Sequence, residues 1–391
     1  MHRVLSINKI TLIFSSLGLW SLLFSGFATF RPNRLLDGEP VSLFEAAGVP
    51  SALLITGIWL LILLASLLPV PRRINGHLLS LSASSLWPLY LGAAGTYASR
   101  VASQAGSLAR VSLGPATWTA LFLTALLPGY IWQRGDVRDR IFLICAGLAA
   151  LAAVAGLFAS GHLAELSILR EFSNRQDRFF GELAHHVTLS LSSVFLATAM
   201  GLPLGILAHR GKRLRTPLFF ILNIFQTIPS LALFGILIPV LAALIQMWPR
   251  LTGLGIQAIG STPALIALIA YSLLPVARNS YAGFASVDIA AVDAGRGMGM
   301  STLQLLWRVE LPIASPVILS GIRIALVQAI GLTAVAALIG AGGLGVFIFQ
   351  GLGQGATDLI LLGAVPIIVM AVVVDSFMNG LIELFRPRGM K

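Results

Sequence analysis

The side chains with the most chemical potential in this chain are polar groups set inside long apolar runs. Arg323 and Asp375 each lie within such a run. A lone charge at mid-membrane costs roughly 2.5–3.5 kcal/mol, so an Arg and an Asp on adjacent spans are expected to neutralise each other or to touch a solute. Arg323 also sits near the inner end of its span, where it can snorkel to the interface. A second cluster surrounds Pro229, flanked by Gln226, Thr227 and Ser230. Carbonyls freed by an intramembrane proline are satisfied by nearby polar groups or line a polar path. Both constellations suit hydrogen bonding to a polar solute. Catalytic patterns are absent: Glu182 beside His185 and His186 lacks the H-E-x-x-H order and has no accompanying nucleophile, so the three read as surface residues at a helix entry. Cys145 stands alone in an apolar stretch, which excludes an intrachain disulfide or thiolate cluster and leaves a packing residue.

The elements that position these groups follow from composition. Of the 391 residues 57% are hydrophobic and 10% charged, and the mean hydropathy is +0.90. A soluble domain carries about 25% charge. Runs long enough for about 30 Å of hydrocarbon fall near 10–30, 51–69, 78–97, 115–133, 141–161, 187–208, 217–245, 262–284, 317–340 and 358–385. The expected architecture is an all-α polytopic membrane protein of about ten transmembrane helices. The net charge of +11 is topological, because most Lys and Arg fall in alternate loops. Clusters such as Arg72 and Arg73, Arg134 to Arg140, and Arg210 to Arg215 place those loops and both termini in the cytoplasm. Nucleic-acid binding is therefore not expected. The first apolar run follows a short basic stretch, yet no clear small-residue cleavage site stands out, so it reads as a retained helix.

The chain divides into an extension of five helices over 1–161, an outer linker over 162–186, and a second half over 187–391. Helix interiors of the first half are almost free of ionisable groups, and its expected role is to pack beside the second half and modify its stability or regulation. Nearly all distinctive residues lie in the second half. There, Gly340, Gly342, Gly343 and Gly345 should thin the end of the ninth span, either for a close helix crossing or for an outer gate.

Between two of its spans lies the largest inner loop, 286–316, whose core is the polar, glycine-punctuated stretch DAGRGMGMSTLQLLWRVELP at 293–312. Val292, Met298, Leu303, Leu306 and Val309 recur at roughly helical spacing, while Gly295, Gly297 and Gly299 permit tight turns. Two short helices joined at the glycines are expected, with Pro312 marking a break before the next span.

That stretch resembles the inner loop of ABC importer permeases, of the form E-A-A, three residues, Gly, nine residues, Ile, any residue, Leu, Pro. Here the anchors are Asp293, Ala294 and Gly295, then Gly299, then Val309, Leu311 and Pro312, with every spacing kept. Asp replaces Glu, Gly replaces the second Ala, and Val replaces Ile. The resemblance implies that the loop docks in a groove on a separate ATPase, with Asp293 and the turn between Gly295 and Gly299 setting its geometry and Met298 and Leu303 making the buried contact. It also implies that the last five helices form a type I ABC importer permease core. Consistent with this, the only Gly-Lys pair, Gly211 and Lys212, lacks the rest of a phosphate-binding loop: Ile206 stands where the first glycine should be and Arg213 where Ser or Thr should be.

Blocks at 223–239, 271–288 and 333–352 are similar to permeases of osmoprotectant importers, which move glycine betaine, choline, carnitine and related quaternary amines. The implied assembly is a permease in the inner membrane, paired with a second permease of the same or another kind, two ATP-binding subunits and an extracytoplasmic substrate-binding protein. This chain itself is expected to bind no cofactor, ATP being used by the partner, to hold no metal and to catalyse no reaction. The possible translocation path comprises Gln226, Pro229, Ser230, Arg323 and Asp375. Two other readings stand beside this one: an ABC permease for another small solute, such as an amino acid, sulfonate or phosphonate, and an ion-coupled secondary transporter.

Overall fold

The computed structural model describes residues 8–33, 36–68, 71–106, 108–134 and 136–386. It divides into two compact units, Met1–Asn174 and Arg175–Lys391.

The first unit contains α1 (Lys9–Phe24), β1 (Ala28–Arg31), β2 (Glu39–Val41), α2 (Leu43–Leu67), α3 (Arg72–Ala105), β3 (Arg110–Leu113), α4 (Pro115–Arg134), α5 (Val137–Ala159) and α6 (Ser167–Ser173). A small three-stranded sheet accompanies the helices. Its order is β2-β1-β3, antiparallel, with Ala28 opposite both Val41 and Leu113. Three or four residues per strand are too few to show a period of two against the surrounding apolar helices. The sheet packs because Phe27, Ala28, Val41 and Val111 are fully or nearly buried, and the Phe27 carbonyl accepts from the Thr117 hydroxyl at 2.7 Å. Inside the bundle, Trp59 donates from Nε1 to the Tyr90 hydroxyl at 2.9 Å. Its ring fills the space over Gly18, where a Cβ would meet it at 2.4 Å, so α1 and α2 cross closely. Cys145 does not pack within the chain: it is exposed on α5.

The second unit contains α7 (Gln176–Arg210), α8 (Lys212–Thr227), α9 (Ser230–Met247), α10 (Arg250–Gly253), α11 (Ser261–Ala285), α12 (Ile289–Gly297), α13 (Thr302–Leu305), a π turn (Leu306–Glu310), α14 (Leu311–Ala336), a 3-10 turn (Ala337–Ile339), α15 (Gly345–Gly353) and α16 (Thr357–Leu384). The stretch 162–186, expected as a linker, is largely helical: it holds α6 and the first three turns of α7. Each of the ten expected spans holds helix, and 217–245 is broken in two at Pro229. Seven helical stretches among the described residues are long and apolar enough to cross a membrane. Of the rest, α1 has only 16 residues, and α3 and α4 are interrupted by Ser, Thr, Pro and aromatic residues.

The centre of this unit is α11, more than half buried where the other spans are a third buried or less. Small residues bring its neighbours close. A Cβ on Gly205 of α7 would lie 2.4 Å from Ser280 Cβ, and one on Gly321 of α14 would lie 2.7 Å from the Pro275 carbonyl. Such backbone-to-backbone approach is how helices associate where lipid removes the hydrophobic drive between them. Between α7 and α14, Ser190 and Thr333 share a buried hydrogen bond of 2.9 Å.

Candidate functional site

The polar loop folds as one short helix, α12, and a left-handed turn that leads into the long helical stretch beginning with α13. Asp288 caps α12 by accepting from the Ala290 amide at 2.9 Å. After Gly297 the chain reverses at Gly299, φ +78°, and the Met300 amide returns to the Gly295 carbonyl at 3.2 Å. Positive φ is where glycine is at home and a β-branched residue is not. Ser301 and Gln304 then form a capping box on α13. Gly295 is buried, and a Cβ there would meet Leu305 Cδ1 at 2.6 Å.

Pro312 does not break the chain as expected. The helix from Thr302 runs through Ile339 without interruption. A proline has no amide hydrogen and its ring crowds the carbonyl four residues back. Widening into a π turn over Leu306–Glu310 accommodates both, with the Leu311 amide bonding the Leu306 carbonyl instead.

Two faces result. Val292, Leu306 and Leu311 pack inward with Phe284, Ala314 and Ile318, and Val309 is half-buried. Met298, Leu303 and Trp307 project, 70%, 66% and 60% exposed. Asp293 and Ala294 are also exposed, and Asp293 pairs with Arg296 at 3.2 Å across one turn of α12. An ion pair missed in the sequence ties this element to α7: Arg210 meets Glu310 at 3.4 Å. Beside it, Arg215 donates to the Tyr281 hydroxyl at 2.7 Å and stacks over its ring. The signal was present in the basic run that begins at Arg210, which needs carboxylate or aromatic partners wherever it folds back on the bundle.

The other predicted residues fall into two groups. At the helix break, Ile228 is extended, as a residue before proline tends to be. The freed Ile228 carbonyl accepts from the Tyr271 hydroxyl, and the Tyr271 carbonyl accepts from Gln226, both at 2.5 Å. Gln328 of α14 adds a 3.4 Å bond to Gln226. Ser230 opens α9 half-buried. Separately, Arg323 and Asp375 face each other at 3.6 Å, and Asn379 closes the triad by accepting from Arg323 and donating to Asp375 at 2.9 Å. Arg323 and Gln328 are five residues apart on α14, about 140° around the helix, so the ion pair and the break cluster occupy different faces.

The Glu182, His185 and His186 reading is corrected. They are not surface residues at a helix entry: His186 is fully buried, and all three side chains bond the backbone of the glycine loop after α14.

Apolar helices long enough to span a membrane, packed around a buried central helix and broken by proline beside a cluster of amides, mark a multi-pass membrane protein. The chain belongs to the permeases of ABC importers: residues 201–390 match the family described as the binding-protein-dependent transport system inner membrane component. Residues 8–169 match the N-terminal domain of the ABC transporter permease YehY. The carnitine transport permease protein OpuCB of Listeria monocytogenes is 38% identical over 221 residues, 54% of this chain and 94% of that protein. The osmoprotectant import permease protein OsmW of Salmonella typhimurium is 40% identical over 53% of this chain and 91% of its own length. A glycine betaine/carnitine/choline transport system permease protein of Bacillus subtilis, OpuCD, is 39% identical over 53% of this chain and 83% of its own. Proteins of this family are membrane channel subunits rather than enzymes.

Proposed function

We propose that this chain is the inner-membrane permease subunit of an ATP-driven importer for quaternary-amine osmoprotectants such as glycine betaine, choline or carnitine. The observation that carries the substrate class is the 38–40% identity to permeases named for those solutes, spread over nearly their whole length. The proline break and its amide cluster support a solute path in the second unit, since freed carbonyls held by Gln226 and Tyr271 can exchange those bonds for bonds to a passing solute. Arg323 and Asp375 balance each other's charge, and their role in this reading is to hold α14 to α16.

The exposed Met298, Leu303 and Trp307 support docking of α12 and α13 on an ATP-binding subunit. Hydrolysis in one subunit moves another only through contacts that differ between states. The Lys and Arg bias supports placing this end, and both termini, in the cytoplasm. A second permease copy, two ATPases and an extracytoplasmic binding protein complete the assembly, and ATP is used by the partner. The first unit is assigned a stabilising or regulatory part.

Uptake of labelled glycine betaine by cells carrying the full transporter tests the substrate class. We expect saturable uptake, competed by excess choline or carnitine and not by neutral amino acids, sulfonates or phosphonates. Competition by one of those solutes, without competition by quaternary amines, would assign the permease to another substrate.

A further inference from the structure

The chain after α14 turns through left-handed backbone conformations. Gly340, Gly342 and Gly343 have φ of +76°, +75° and +80°, and a glycine-rich backbone loses more freedom on ordering than any other. Its polar groups are also outside any helix ladder and need partners.

One turn of α7 supplies them. Glu182 Oε2 accepts the Gly343 amide at 2.6 Å, His185 Nε2 donates to the Ala341 carbonyl at 2.7 Å, and His186 Nδ1 accepts the Leu344 amide at 3.3 Å. The opposite ring nitrogen of His186, Nε2, donates to the Ile330 carbonyl on α14 at 3.0 Å. An amide can only donate and a carbonyl only accept, so His186 is held as the neutral ring with its hydrogen on Nε2. No other tautomer makes both bonds. The fit is tight: a Cβ on Gly343 would stand 3.1 Å from His186 Nδ1.

The clamp reaches beyond the loop. Arg178, 3.8 Å from Glu182, extends to Gln350 on α15, and Ser261 at the start of α11 lies 3.3 Å from His185 Nε2. At its far end, α7 pairs with the docking element through Arg210 and Glu310. A single helix of 35 residues, about 50 Å long, thus grips both ends of the bundle.

We infer that Glu182, His185 and His186 are positioning residues: they clamp the glycine loop, so that α7 passes movement of the ATP-coupled end to the loop and to α15 at the opposite end. The inference rests on the permease reading for its transport consequence, and on geometry alone for the clamp.

Amide hydrogen exchange on the purified full-length protein tests the clamp without any transport assay. His186→Leu should raise exchange at Leu344 about tenfold or more, because the bond that protects it is gone. His186→Gln keeps an acceptor and a donor and should stay within about threefold of the parent. Should His186→Leu fail to fold, Glu182→Ala at a partly exposed position should raise exchange at Gly343 while Leu344 stays protected. In the reconstituted transporter, His186→Leu should lower maximal uptake about tenfold with half-saturation within about twofold, and His186→Gln should restore it. Unchanged exchange at Gly343 and Leu344 in the Leu and Ala variants would overturn the clamp even where uptake is normal. Altered exchange in the variants, with no uptake of quaternary amines by the parent transporter, would leave the clamp standing and overturn the substrate reading instead.

Discussion

Replacing Leu303 and Trp307 together with Asp is expected to detach the ATPase while leaving the permease folded. Both side chains project from the polar loop, 66% and 60% exposed, so within the chain they resemble surface positions, where substitutions usually shift stability by about 0.5 kcal/mol or less. Buried in a partner's groove they would act as anchors, each losing about 2 kcal/mol or more on truncation. The two together amount to about 4 kcal/mol, close to a thousandfold weaker docking. Co-purification of the ATP-binding subunit from detergent extracts should fall below detection and uptake should fall with it, at unchanged permease yield. Retention of the ATPase at parental levels would mean that another surface docks it.

A large structural effect is expected at Gly205. A Cβ there stands 2.4 Å from Ser280 Cβ and 2.7 Å from the Ala277 carbonyl, and backbone does not give way as a flexible side-chain tip does. Gly205→Val must push α7 off α11, the most buried helix of the unit. Overpacking of this kind costs about 1–3 kcal/mol and sometimes more, so the thermal midpoint of the purified protein should drop by about 2–12 °C. Gly235→Ala on α9 is the control, since nothing lies within 4 Å of its added Cβ. It should hold or raise the midpoint, because alanine is the better helix former. Equal midpoints for the parent and Gly205→Val would contradict the close crossing.

Local chemistry was legible in the sequence where it depends on spacing. The glycine turn at Gly299, the break at Pro229 and the pairing of Arg323 with Asp375 follow from φ preferences, from the missing proline amide and from the cost of a lone charge in lipid. The role of Pro312 was misread because the proline rule presumes α geometry, and the chain evades it by widening one turn. What stayed hidden depends on partners far apart in sequence. Strands of three and four residues carry too little pattern to stand out among apolar helices. Glu182, His185 and His186 resemble any polar helix start until the glycine loop, more than 150 residues later, is brought against them. The basic run at Arg210 likewise calls for a partner without saying that the partner is Glu310, one hundred residues on.

If the proposed function holds, ATP hydrolysed on the docking side drives the second unit. The most direct measurement uses proteoliposomes holding the permease, its ATP-binding subunit and the solute-loaded binding protein, with ATP enclosed on the docking side and labelled glycine betaine outside. Uptake is expected only with hydrolysable ATP, and is expected to vanish with a non-hydrolysable analogue or with the Leu303→Asp, Trp307→Asp variant. Uptake driven by a Na⁺ or H⁺ gradient in the absence of ATP would contradict the account and make the chain an ion-coupled transporter.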